Sequence, residues 1–106
     1  EKGHPWERAK AFDGACPLSP FVAAERFRND HITFSLDINE KRQQSGDTRD
    51  MLFPIIPLLA HISSHFTLLP GDVVITGTPS GVGPLLSGQT LSLQLEDQLS
   101  VSTKVV

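Results

Sequence analysis

Three stretches of strict apolar–polar alternation leave this chain little choice but to build an antiparallel sheet. Ile32-Thr33-Phe34-Ser35-Leu36-Asp37-Ile38 places an apolar side chain at every second position, as does Thr90-Leu91-Ser92-Leu93-Gln94-Leu95. Leu99-Ser100-Val101-Ser102-Thr103-Lys104-Val105 repeats the pattern with one slip near its end. Successive residues of a strand point to opposite faces, so this period suits half-buried strands. Ile32, Phe34, Leu36 and Ile38 are therefore expected to face the core. Glu96-Asp97-Gln98 joins the last two stretches into a hairpin. Asn39-Glu40 closes another, although glycine suits its second turn position better than glutamate. The return arm, Lys41-Arg42-Gln43-Gln44-Ser45, is polar enough to require a sheet edge or a wet cavity.

One main helix is expected between the strands, over about 49–66. Leu52, Ile55, Ile56, Leu59, Ile62 and Phe66 recur at three- and four-residue spacing, with Thr48 or Asp50 as the cap. Pro54 is tolerable in a first turn, whereas Pro57 should kink or loosen the helix. Upstream, Gly3, Pro5, Gly14, Pro17 and Pro20 make most of residues 1–20 irregular, and 21–27 offers one short turn. Downstream, Pro70-Gly71-Asp72 reads as a turn, Val73-Val74-Ile75-Thr76 as a short strand, and Gly77 to Pro84 as a glycine- and proline-rich loop. Such a strand exit is either a plain turn or a place where backbone NH groups and hydroxyls approach a ligand. The sum is an α+β, β-rich single domain.

Charge and length exclude several function classes. At −3 over 106 residues, with nine scattered Lys and Arg, the chain lacks the basic stripe of a nucleic-acid binder. Its longest mainly apolar stretch, Met51 to Ala60, holds two prolines and falls far short of the ~20 residues of a bilayer span. Neither nucleic acid nor membrane is expected as a partner. A single cysteine, Cys16, fits a reducing, cytoplasmic setting.

Several residues invite chemistry. His61 and His65 have the i, i+4 spacing of zinc ligands, but no glutamate follows His61 and no third ligand is near, so helix-surface histidines are the plainer reading. The glycine loop has no Lys-Ser/Thr after its last glycine and no third glycine of a dinucleotide fingerprint, which removes nucleotide binding. Cys16 has no neighbouring histidine. Asp13, Asp47 and Asp50 are too dispersed to cage a metal by themselves. Lys10 lies between Trp6 and Phe12, either as a partly desolvated cation or as a surface lysine whose stem covers the rings.

Four blocks taken together are more specific. They are Gly3-His4-Pro5-Trp6; Ala9-Lys10-Ala11-Phe12-Asp13 with Cys16-Pro17-Leu18-Ser19; Gln44 to Met51; and Thr67 to Pro79 continuing through Gly81-Val82-Gly83-Pro84. In this order they resemble the C-terminal half of the fumarylacetoacetate hydrolase family, most closely its small bacterial acylpyruvase-like branch (fumarylpyruvate or acetylpyruvate hydrolase-like). The resemblance covers essentially the whole chain. It implies a β-roll or sandwich, a homodimer, Mg²⁺ or Mn²⁺, and a small dicarbonyl-acid substrate of the kind met in aromatic-compound catabolism. The activity the resemblance implies here is metal-dependent hydrolysis of a C–C bond in acylpyruvates through a stabilised enolate. Decarboxylation or tautomerisation of oxaloacetate-like acids, and isomerisation of dienoates, are the alternatives on the same scaffold.

Carried over by residue, the resemblance makes Lys10 the cation at the substrate oxyanion and so catalytic. Thr78 becomes the binder of the substrate carboxylate, and Gly77 the residue that lets this backbone approach. The family's acidic metal ligands, its water-activating His-Glu pair and its Arg-Asp-x-Gln helix match nothing in 1–106 and are expected upstream of Glu1. Residues 1–106 are accordingly expected to be the C-terminal part of one catalytic domain. The return arm and the glycine loop should then be incompletely buried in these residues alone. Three departures accompany the match: Glu40 where glycine is usual, Gln43 where arginine is usual, and Gln89 where aspartate is frequent. A noncatalytic binding or assembly module is the reading from a different class.

Overall fold

Strand β1 (Thr33–Ile38) lies between β2 (Lys41–Asp47) and β3 (Thr90–Leu95), and β4 (Leu99–Lys104) completes an antiparallel sheet of order β2-β1-β3-β4. The computed structural model describes residues 7–106; the Gly3-His4-Pro5-Trp6 block, and with it one of the two aromatics that bracket Lys10 in sequence, lies outside them. The α+β class is as expected.

The alternation registers across three strands. Phe34 pairs with Leu95, Leu36 with Leu93 and Ile38 with Leu91, while Leu93 and Leu95 pair in turn with Val101 and Leu99. Because side chains directly opposite share a face, these residues form one apolar surface. Ser35, Asp37, Ser92, Gln94, Ser100 and Ser102 take the other face. On the apolar face Leu93 is still 44% exposed and Phe34 37% exposed. The expected core side is therefore present but half-covered, and no apolar side chain among the described residues is fully buried. The chain exposes 9156 Å², against about 5,800 Å² for a closed protein of this mass. Its radius of gyration is 15.5 Å, against about 13 Å for a compact domain of this length.

Both hairpins close as expected. Asn39 and Glu40 have φ of 48° and 66°, the two positive values of a type I′ turn. Asn39 also ties the turn to β3, since its Oδ1 accepts from Thr90 N (2.9 Å) and its N donates to Thr90 O (2.9 Å). Glu40 pays for its left-handed backbone with steric strain that glycine lacks. Glu40→Gly in the full-length protein is expected to raise stability by about 0.5–1 kcal/mol, read as a higher thermal midpoint with unchanged activity.

The helix departs from the expected 49–66. Thr48–Asp50 forms a 3₁₀ turn capped by Asp47, whose Oδ1 accepts from Arg49 N (2.9 Å). Thr48 is not a helix cap; its Oγ1 accepts from Ile32 N (2.9 Å) and pins the entry to β1. Met51 is extended, and α2 spans only Ile55–Ser63 with Pro54 at its N-cap. The prolines are the reason. The first helical donor is Leu58 N, to Pro54 O (3.0 Å), so Pro57 stands where NH groups have no intrahelical partner and need not kink the helix. The shorter helix also shifts its inner face. Ile55, Leu58, Leu59 and Ile62 are half-buried, while Leu52, Ile56 and Phe66 are exposed.

Val73–Thr76 is likewise not a strand: it is extended chain outside the sheet. Its β-branched composition favours a strand, but a strand also needs a neighbour to complete its ladder, and it pairs with none of the described strands. The segment before Phe12 contains one helical turn, α1 (Glu7–Lys10), and 21–27 contains a 3₁₀ turn at Ala24–Arg26.

Candidate functional site

The glycine loop cannot be held by a ladder or a helix, so side chains must hold it. They come from β2, the polar edge strand. Its pairing with β1 slips between Leu36 and Asp37: Leu36 faces Gln44 and Asp37 faces Arg42, leaving Gln43 as the extra residue of a β-bulge. A bulge bends the strand and re-aims its side chains. Here it turns two consecutive glutamines toward one loop.

Gln43 Nε2 donates to Gly81 O (2.6 Å). Gln44 Nε2 donates to Thr78 Oγ1 (3.1 Å) and Pro79 O (3.1 Å), with Ser80 O at 3.4 Å. Two carbonyl neighbours fix which end of the amide faces the loop, because carbonyls accept only. The loop must come close for this. Gly81 has φ of 98°, and a Cβ there would collide with the Gln43 carbonyl oxygen and lie 3.1 Å from Gln44 Cγ. Gly77 shares that φ of 98° but has nothing within 4 Å of where a Cβ would be, so the space beside it is open.

Gly77 and Thr78 border a cleft of about 550 Å³ between the loop, α2 and the β1–β2 end of the sheet. Its floor is apolar, with Phe34, Leu58 and Ile62 among the lining side chains. Phe34 lies over Gly46, its ring atoms 2.7 and 2.8 Å from where a Cβ would stand, so Gly46 makes room for the ring. Asp47 and Asp50 border the cleft. Asp47 is held by Arg49, with Nη2 to Oδ2 at 2.5 Å and Nε to Oδ1 at 3.1 Å. That guanidinium brings the Asp47 carboxyl down to about 2, so this aspartate is bound up as an ionised anchor of the turn.

Lys10 is exposed at the end of α1 and does not line this cleft. Thr78 and Gly77 are thus brought together, and Lys10 is placed apart from their cleft. His61 and His65 are exposed, their ring centroids 4.8 Å apart, and His65 Nδ1 is bonded to His61 O at 3.0 Å. Cys16 is exposed. No group of three or more His, Cys, Asp or Glu side chains that could hold a metal ion is found among the described residues. A divalent cation therefore does not fit a ligand set drawn from them alone. No described helix is long and apolar enough to cross a membrane.

The sequence matches the family model of the fumarylacetoacetate (FAA) hydrolase C-terminal region over residues 1–106. The chain belongs to the fumarylacetoacetate hydrolase family. It is 50% identical over 106 residues to oxaloacetate tautomerase YcgM of Escherichia coli K12, covering 98% of this chain and 48% of that protein. The crystal structure of a fumarylacetoacetate hydrolase family protein from Yersinia pestis CO92 superposes with a TM-score of 0.91 at 48% identity, covering 98% of this chain and 49% of that one. Fumarylpyruvate hydrolase from Pseudomonas aeruginosa, solved with Mn²⁺ and pyruvate, superposes at 0.88 with 32% identity over 98% of this chain and 45% of that one. The chain spans about half the length of the curated relatives it matches.

The family's glycine loop is held here by Gln44, which sequence reasoning passed over as a site residue. The available signal was the two adjacent glutamines in an arm too polar for an ordinary strand. Gln43, noted as a departure from the usual arginine, holds the loop's second half through Gly81.

Proposed function

We propose that the full-length protein is an oxaloacetate tautomerase that interconverts the keto and enol forms of a 2-oxo dicarboxylic acid. The observation that carries this reading is the 50% identity to oxaloacetate tautomerase YcgM across 106 residues. It is supported by a loop that places Thr78, its hydroxyl held by Gln44, among the residues lining the cleft. In this reading Thr78 binds the substrate carboxylate, and Gly77 leaves the room the carboxylate needs. Loss of the C3 proton yields an enolate with its charge on the C2 oxygen. In this reading the Lys10 ammonium, which is not among the described residues lining the cleft, meets that charge once the rest of the full-length polypeptide completes the site. Reprotonation on oxygen or on carbon then gives enol or ketone. No described residue is assigned as the base.

The reading implies Mg²⁺ or Mn²⁺, with acidic ligands in the part of the full-length polypeptide that precedes Glu1. That part, or a second copy in a homodimer, would also cover the exposed return arm and loop. A cytoplasmic location accompanies it. The second reading is hydrolysis of a C–C bond in acylpyruvates, favoured by the likeness to fumarylpyruvate hydrolase. The two share the stabilised enolate and differ in whether water attacks a second carbonyl.

Following oxaloacetate enol absorbance and acetylpyruvate cleavage in parallel separates them. Enol–keto exchange accelerated at least tenfold more than acetylpyruvate cleavage is expected. Excess EDTA should abolish the activity and added Mg²⁺ or Mn²⁺ should restore it. Efficient acetylpyruvate cleavage without tautomerase activity would favour the hydrolase, and inactivity on both would favour a noncatalytic module.

A further inference from the structure

We infer that Gln44 is a positioning residue that sets the hydrogen-bond polarity of Thr78, turning its hydroxyl into a dedicated donor toward an anionic substrate oxygen. This rests on the reading that Thr78 binds the substrate carboxylate. A threonine hydroxyl carries one proton and two acceptor lone pairs, and in isolation it rotates to donate or to accept. Here Gln44 Nε2 stands 3.1 Å from Thr78 Oγ1. The same nitrogen lies 3.1 Å from Pro79 O and 3.4 Å from Ser80 O. Its two hydrogens are shared so that one meets Pro79 O and the other Thr78 Oγ1, with Ser80 O the most distant of the three acceptors. One lone pair of Oγ1 is thereby filled by a donor. The hydroxyl proton must rotate away from the Gln44 hydrogens, which leaves the O–H to be donated to a ligand.

The β-bulge at Gln43 gives this arrangement its rigidity. It aims Gln44 from a strand anchored to β1 on its inner side, while Gln43 secures the far end of the loop at Gly81 (2.6 Å). A hydroxyl preset as a donor favours an acceptor-only partner, and an ionised carboxylate is such a partner. It disfavours a ligand that would present an N–H or O–H at that point. The substrate atom read by Thr78 is thus an acceptor, which in the proposed reading is a carboxylate oxygen.

The test is calorimetric titration of the full-length protein with pyruvate in the presence of Mn²⁺, which requires no turnover. Thr78→Val should weaken pyruvate binding by about 10–50-fold, the loss of a hydrogen bond to a charged group. Gln44→Met keeps length and removes the donors, and should weaken it by about 3–10-fold. In the Thr78→Val background, Gln44→Met should add less than about twofold, because its effect passes through the hydroxyl. Gln44→Glu should weaken binding more than Gln44→Met at pH 8. Its deficit relative to wild type should shrink as the new carboxyl, ordinarily near 4.3, begins to take up a proton toward pH 5 and regains a donor.

Thermal unfolding of each variant establishes that it is folded, and Gln44→Glu serves if the methionine variant is not. Losses that multiply in the double variant, or wild-type affinity in Gln44→Met, would overturn the role of Gln44 while leaving Thr78 in place. Wild-type affinity in Thr78→Val alone would overturn the carboxylate reading, and this inference with it.

Discussion

Lys10→Ala in the full-length protein is expected to lower kcat for oxaloacetate tautomerisation by about 100-fold or more, the scale set by removing one preorganised donor to a developing oxyanion. The effect should fall mainly on kcat, because the enolate charge that the ammonium meets does not exist in the bound ketone. Lys10 is exposed at the last position of a four-residue helix, and the thermal midpoint of the variant is to be measured beside its kcat. That separates chemistry from folding. Lys10→Arg should recover little, since a planar fork does not replace a compact ammonium. Stopped-flow measurement of enol decay supplies both constants, and an unaltered kcat in Lys10→Ala would remove Lys10 from the mechanism.

The second large effect concerns the loop. Gly81→Ala should cost about 2–3 kcal/mol, because the new methyl meets two obstacles together. The φ of 98° is strained for any L side chain, and the Gln43 carbonyl oxygen lies where the methyl would be. That carbonyl belongs to the backbone of a strand paired to β1, so it cannot swing aside as a side-chain tip would. The loop should release instead, losing the Gln43–Gly81 and Gln44–Thr78 bonds and with them pyruvate affinity. Gly77→Ala is the matched comparison, with the same φ but open space around it. It should cost only about 1–2 kcal/mol. Chemical denaturation of both variants tests the difference; equal costs would show that the collision is relieved without disturbing the clasp.

The helix and the loop differ in how far each could be read from residues. Asn39-Glu40 could be placed in a turn because a two-residue hairpin requires positive φ, a property of the local chain. The end points of α2 were also local in principle. Pro54 and Pro57 each lack an NH, and a start at Ile55 puts both where none is needed, whereas a start at 49 does not. Apolar spacing alone extended the helix too far, because Leu52 and Phe66 match the period without joining the helix. Val73–Thr76 erred in another way, since strand composition states a preference and a ladder needs a partner elsewhere. The glycine loop was legible as an irregular strand exit, while the roles given to Thr78 and Gly77 rest on the resemblance. The contact of Gln44 was not legible, because the two adjacent glutamines mark the arm as unusual without saying where the bulge falls or what it aims at.

Alternation and turn residues by themselves determined β1, β3, β4 and the two hairpins, since a period of two and a tight turn follow from backbone geometry. That β1 pairs with β3 to make one sheet was decided by the fold. Family motifs in the chain determined which loop to watch. Only the tertiary structure decided that β2 slips by one residue at Gln43, that this aims Gln44 at Thr78, and that Gly81 is seated on the Gln43 carbonyl. The physical reason is range. Pairing Gln44 with Thr78 joins residues 34 apart, and such a contact depends on where two segments are carried by everything between them.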